Sequence, residues 1–275
     1  MATFFGEVLP VHSRAVDDDD DDDETDCVDF CPAVIKWNPD IKGLCEDIQS
    51  EKSLACSSML IAVGPAASGF VHAYLIDNES EAIAAICTGF TDDDSKLFIP
   101  QSPTDKTCRL YRSRQSPKQF TCICNSVVSP EQAFSWTSQL FDHIDLSEAQ
   151  VAVLSSSVTS EYRTDVPSSE LTVPFVKALR TQAFTGSPFC PYLEQPNIVN
   201  GLPAQILTYL HIRKLKGILY HCYTDTIFLD SRTIKAFKPI LTTAPFKDSV
   251  KVNPKADEQL KHIVHLHTTS NTLYL

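Results

Sequence analysis

Apolar positions along the chain fall into two recurring patterns, and they alternate. Short unbroken apolar runs, "SSMLIAVG" (57–64), "EAIAAICTGF" (81–90), "QFTCICNSVV" (119–128), "AQVAVLSSS" (149–157) and "KGILYHCYT" (216–224), have the length and β-branched content of buried strands. A further strand is predicted at Thr107 to Tyr111, inside a loop-rich stretch of Pro, Ser and charge. Between these runs, apolar residues recur at helical spacing. "PAASGFVHAYLI" (65–76), "SPEQAFSWTSQLFDHI" (129–144), "VPFVKALRT" (173–181), "LPAQILTYLHIRKL" (202–215), "DSRTIKAFKPIL" (230–241) and "ADEQLKHIVHLH" (256–267) are predicted helices. The second has the clearest start: Ser129 as cap, Pro130 in the first turn and Gln132 to complete a capping box. Ala133, Trp136, Leu140 and Ile144 then share its inward face.

Apolar strands alternating with amphipathic helices predict a three-layer α/β/α sandwich with a mainly parallel sheet. The boundaries that follow are an N-terminal segment over 1–53, one α/β/α domain over 54–267, and a flexible polar tail over 268–275.

Composition adds one strong constraint. The formal net charge is −12, and eight consecutive acidic residues run from Asp17 to Glu24. Such a run repels itself and stays hydrated, so a disordered acidic segment precedes the domain. An acidic chain is a poor partner for nucleic acid or an anionic membrane surface. The opening "MATFFGEVLPVHSR" lacks the basic start and long apolar run of a secretory signal, and no stretch reaches membrane-spanning length. The expectation is a soluble intracellular protein. Phe4 and Phe5, ahead of the acidic run, could pack onto the body.

Candidate chemistry is sparse. Gly64 and Gly69 stand at P-loop separation, but Phe70 and Val71 occupy the positions where the phosphate-binding Lys and the magnesium-binding hydroxyl belong. Ten cysteines include no pair of C-x2-C knuckles, and Cys122 and Cys124 are read as buried side chains on one strand face. His262, His265 and His267 cluster near the end without a fourth ligand in view, so no metal is expected. "YHCYTD" places His221, Cys222 and Asp225 at a strand end, where α/β enzymes act. His221 and Cys222 are strand neighbours pointing to opposite faces, so they cannot form a nucleophile–base pair.

One long stretch is more specific. The segment 173–241, with "CPYLEQPNIV", "LPA", "CYTD" and "AFKPIL", closely resembles the proteasome assembly chaperone 1 family, as do the opening "MATFFGEV" and the final Leu273-Tyr274-Leu275. The resemblance implies a protein that is not an enzyme and needs no cofactor. It implies a heterodimer with proteasome assembly chaperone 2 that binds 20S proteasome α subunits. That heterodimer promotes α-ring assembly, discourages off-pathway α-ring dimers, and keeps activators off an unfinished core. The implied location is cytoplasmic, with the nucleus and the periphery of the endoplasmic reticulum as further sites. It also implies a role for the three last residues: Leu273, Tyr274 and Leu275 form a hydrophobic-Tyr-any-residue motif that enters pockets between α subunits. The terminal carboxylate would pair with a pocket lysine, and Tyr274 would supply an apolar ring with one polar tip. The competing readings are an α/β hydrolase- or phosphorylase-like enzyme built around Cys222 and Asp225, and an adaptor whose acidic run docks basic partners.

Overall fold

In the computed structural model the described residues are 31–40, 53–76, 80–88, 97–99, 105–167, 170–226, 228–243, 245–247 and 253–272. Phe4, Phe5 and the acidic run Asp17 to Glu24 lie outside them, as do Leu273, Tyr274 and Leu275. The elements in chain order are β1 (Val34–Trp37), β2 (Leu54–Ala55), β3 (Ser58–Val63), α1 (Pro65–Tyr74), β4 (Ser80–Cys87), β5 (Cys108–Ser113), β6 (Gln119–Cys124) and α2 (Pro130–Phe141). They continue with β7 (Ile144–Asp145), β8 (Gln150–Val158), β9 (Phe175–Arg180), α3 (Gly201–Ile212), β10 (Lys216–Thr224), α4 (Ser231–Lys235) and α5 (Ala256–Thr272).

One eight-stranded sheet has the order β1-β4-β5-β6-β3-β8-β10-β9. Its centre, β6-β3-β8-β10, is parallel, and both flanks are antiparallel. The centre consists of the continuous apolar runs, because a strand covered by helices on both faces must be apolar at every position. Met59, Ile61, Cys122, Val151, Val153 and Leu219 face one core, beneath α2 and α3. Leu60, Ala62, Ile123, Ala152, Leu154 and Cys222 face the other, against α1, α4 and α5. This is the predicted three-layer sandwich.

Four local readings change. The segment 173–181, predicted as a helix, carries β9, antiparallel to β10 with Leu219 opposite Leu179. Its side chains alternate: Val176 and Ala178 join one core and Leu179 the other. An edge that must be paired overrides a nine-residue helical pattern. The stretch 230–241 keeps Ile234, Phe237 and Ile240 buried, but the α-helix ends at Lys235 and the chain continues as a 3-10 helix over Lys238–Thr242, around Pro239. Ile144 belongs to β7 and not to α2. The domain also begins earlier than residue 54, since β1 pairs with β4 and Ala33 and Ile35 are buried.

Side chains from α2 complete that edge. Ala33 N–H donates to Ser135 Oγ at 3.1 Å and Ile35 N–H to Gln139 Oε1 at 3.2 Å, so these β1 donors are not left open for another strand. Ser129 caps α2 as read, accepting from the Gln132 N–H at 3.4 Å. The Gln132 side chain does not return to close a box. Its Nε2 donates to the carbonyls of Cys31 and Thr88, each at 2.9 Å, and pins the ends of the first two flank strands. At the opposite edge Ala178 N–H donates to Pro191 O and the Ala178 carbonyl accepts from Leu193 N–H, both at 2.9 Å, so a loop covers β9.

The core of the described residues is built from Ala33 onward, which gives a first expected result. Deleting residues 1–26 leaves β1 intact and should shift the thermal midpoint by no more than a degree or two, about the effect of a surface change. A large fall in differential scanning calorimetry would show that Phe4 or Phe5 packs on the domain.

Candidate functional site

The parallel strands define two ends, and several exposed apolar residues follow their last residues. Val127 follows β6, Val166 follows β8 and Phe228 follows β10; they are 94%, 44% and 63% exposed. Beside them a cavity of about 670 Å³ is lined by Val158, Tyr162, Val166, Leu171, Val173 and Asp225, among others. Isolated exposed apolar residues are ordinary, but several at one end of a sheet mark a contact surface.

The last helix points the same way. Asn253 N–H, just before α5, donates to the carbonyl of Tyr74 at the end of α1 (3.1 Å). Ile263 lies against Gly69 in the middle of α1. The two helices are therefore antiparallel, and α5 runs back toward Gly64, where β3 ends and α1 begins. Residues 268–272, read from their polar composition as a tether, continue the helix to Thr272. Thr268 supports the continuation, its hydroxyl donating to the Val264 carbonyl at 2.9 Å. With Ile263 level with Gly69, the helix passes the first residue of α1 by about five residues, or about 7 Å. Leu273, Tyr274 and Leu275 follow directly and lie outside the described residues.

The residues singled out for an enzyme are brought together only in part. His221 sits on β10 opposite Ser155 of β8. Its Nδ1 is 2.7 Å from Ser155 Oγ and its Nε2 is 2.9 Å from Ser157 Oγ. Burial holds the imidazole down to about 4, so it is neutral at physiological pH. With both ring nitrogens engaged by hydroxyls, its evident role is to tie β8 to β10. Cys222 points to the other face, and burial pushes its thiol up to about 12, the opposite of an activated nucleophile. Asp225 lines the 670 Å³ cavity, away from both. His262 and His265 are exposed on α5, and His267 is half-buried. Among the described residues no group of His, Cys, Asp or Glu is arranged to hold a metal ion. No helix among them is long and apolar enough to cross a membrane.

A pH dependence follows from His221. A histidine whose folded value lies below its unfolded value of about 6.5 binds its proton more readily in the unfolded chain. Its contribution to stability is whole above pH 6.5 and is lost as pH falls toward 4, the value burial gives it. Replacing His221→Gln retains a donor and an acceptor but removes the titration. Urea melts should show wild type losing on the order of 2–3 kcal/mol more than the variant between pH 7 and pH 4.5. Equal losses would mean that His221 takes up its proton as readily in the fold as in the unfolded chain.

What sequence reading missed is the apolar end itself. Val127 reads as part of the strand run 119–128, which ends at Cys124, and Val166 and Phe228 sit in turn-rich segments where single apolar residues carry no periodic signal. Cys108 was likewise one of several scattered cysteines until the sheet set it beside Cys124.

The described residues thus form a three-layer sandwich with apolar side chains exposed beyond the ends of its parallel strands. Comparisons with known proteins make this specific. A family model described as Proteasome assembly chaperone 4 matches residues 1–275. Proteasome assembly chaperone 1 of Xenopus laevis is 37% identical over 289 residues, covering 100% of both chains. The Homo sapiens protein of the same name is 31% identical, covering 99% of each. Among solved structures, Pyrococcus furiosus PbaA, described as an archaeal homolog of proteasome-assembly chaperone, shares the fold with a TM-score of 0.54. It is 13% identical, and the match covers 89% of this chain and all of that one. The chain belongs to the proteasome assembly chaperone 1 family.

Proposed function

We propose that this chain works as one half of a heterodimer with proteasome assembly chaperone 2, and that the pair binds 20S proteasome α subunits. In this reading it promotes α-ring formation, discourages α-ring dimers, keeps activators off the unfinished core, and acts by binding without catalysis. The observation that carries it is the end-to-end match to chaperones of this name. The geometry fits. The last helix projects beyond the sheet end at which Val127, Val166 and Phe228 are exposed, so a motif carried after Thr272 and an apolar body surface would meet the same partner. Leu273 would fill an apolar pocket, Tyr274 would stack and hydrogen-bond, and a carboxylate at Leu275 would pair with a lysine. Because α5 is helical to Thr272, the motif is mounted on a post, and less conformational entropy is lost on docking than from a free tether. The proposed setting is the cytoplasm, with the nucleus and the periphery of the endoplasmic reticulum as further sites.

Co-expression tests the pairing. An obligate partner leaves apolar surface uncovered when one chain is made alone. The isolated chain should self-associate in size-exclusion chromatography, and co-expressed proteasome assembly chaperone 2 should convert it to a one-to-one complex. A monodisperse monomer at high concentration, indifferent to the second chain, would count against the pair.

The enzyme alternative has a specific weakness. Its candidate thiol, Cys222, is fully buried, held in the un-ionised form, and turned away from His221.

A further inference from the structure

The antiparallel pair β5–β6 brings two cysteines face to face. The ladder sets Arg109 opposite Ile123 and Leu110 opposite Cys122. One step further along the same register, Cys108 stands opposite Cys124. Directly opposed residues of antiparallel strands have Cα atoms about 4.5–5.5 Å apart, inside the range a disulfide spans. The two sulfurs are 2.9 Å apart.

Polar groups lie close to the Cys108 sulfur. The Ser126 hydroxyl lies 3.0 Å from its sulfur. The indole N–H of Trp136, on the helix above, is buried and has no hydrogen-bond partner. The hydrogen-bonded contact with Cys124, and after it the Ser126 hydroxyl, hold Cys108 below the usual thiol range, against its burial. Cys124 is held well above that range, first by its contact with Cys108 and then by burial. Cys122, also far above it through burial, is the internal contrast: two residues along the strand, with no hydrogen bond from these groups.

We propose that Cys108 and Cys124 form a peroxide-reactive pair, with Cys108 as the attacking sulfur and Cys124 as the resolving thiol. The Cys108 thiolate attacks one oxygen of hydrogen peroxide. The O–O bond breaks, hydroxide leaves and is protonated to water, and Cys108 becomes a sulfenic acid. Cys124 then attacks the Cys108 sulfur, the S–O bond breaks, and a second water leaves with the thiol proton. In sum, two thiols and one peroxide give one disulfide and two waters. The pair is 1% and 0% exposed, which restricts the oxidant to a small neutral molecule. The route is short: Ser126 is half-buried and Val127 beside it is open to solvent. The bond would lock the antiparallel flank of the sheet to its parallel centre across the β5–β6 seam.

The test treats the folded, fully reduced full-length chain with hydrogen peroxide, then blocks remaining thiols and maps peptides without reduction. The expected result is a mass loss of two hydrogens and a peptide joining Cys108 to Cys124, unchanged by Cys122→Ser. In Cys124→Ser, dimedone should label Cys108. In Cys108→Ser, it should label neither 108 nor 124. The wild-type map stands without any variant having to fold. A folded chain that keeps both thiols while the urea-unfolded chain oxidises would overturn the proposal, as would a bond made through Cys122 or dimedone label on Cys124.

Discussion

Adding a single residue after Leu275 is expected to weaken capture of proteasome α subunits about as much as replacing Tyr274→Ala. The extension leaves every side chain in place and moves only the carboxylate away from its proposed lysine. The alanine substitution removes the ring contacts and the hydroxyl hydrogen bond, a loss on the order of 1–3 kcal/mol in a well-packed pocket, or about 5- to 150-fold in affinity. Neither change touches the two cores of the sandwich, so pairing with proteasome assembly chaperone 2 should persist. The extension is the more discriminating of the two. If Leu273 and Tyr274 pack back on their own domain, their burial does not depend on where the carboxylate lies. An extended chain that binds α subunits as well as the unmodified one would remove the pocket reading. Immobilised α subunits and a titration of each variant, with its partner chaperone present, give the comparison directly.

Replacing Trp136→Ala is expected to cost about 3–5 kcal/mol of stability, the usual price of a large-to-small change in a packed core. Trp136 is fully buried on α2, in the core that also holds Ile61, Leu110, Cys122 and Leu140. Its loss leaves a cavity between α2 and the sheet, and a backbone fixed by the β1 and β4 contacts of Gln132 cannot close it easily. For a domain of this size the thermal midpoint should fall by about 10 °C. Trp136→Phe retains most of the volume and should lose less than half as much. A midpoint shift of a degree or two for the alanine variant would mean that the helix does not seat this side chain in the core.

The layered core was legible because its strands are covered on both faces. Runs such as Met59 to Val63 and Val151 to Leu154 are apolar at every position, and no other arrangement buries them. The edges were not. Val173 to Thr181 has a helical spacing of apolar residues, and only the need to pair β10 and be covered by the loop around Pro191 makes it a strand. β1 was hidden for a similar reason. Four residues carry little periodicity, and its outer donors are satisfied by Ser135 and Gln139, about a hundred positions away. Polar composition misread residues 268–272. Thr, Ser and Asn are weak helix formers alone, but a helix already anchored through Ala256, Leu260 and Ile263 carries them on. The Leu273-Tyr274-Leu275 motif was legible only through family resemblance, because three residues have no local physics that identifies a partner.

The measurement that bears most directly on the whole account is native mass spectrometry of the tagged chain purified from cells that co-express proteasome assembly chaperone 2 and the 20S α subunits. The account predicts one copy of this chain with one copy of the second chaperone, and the same pair carrying α subunits. Extending the chain beyond Leu275 should deplete the α-subunit species and leave the chaperone pair intact. A chain recovered alone, with neither the second chaperone nor any α subunit attached, would contradict it.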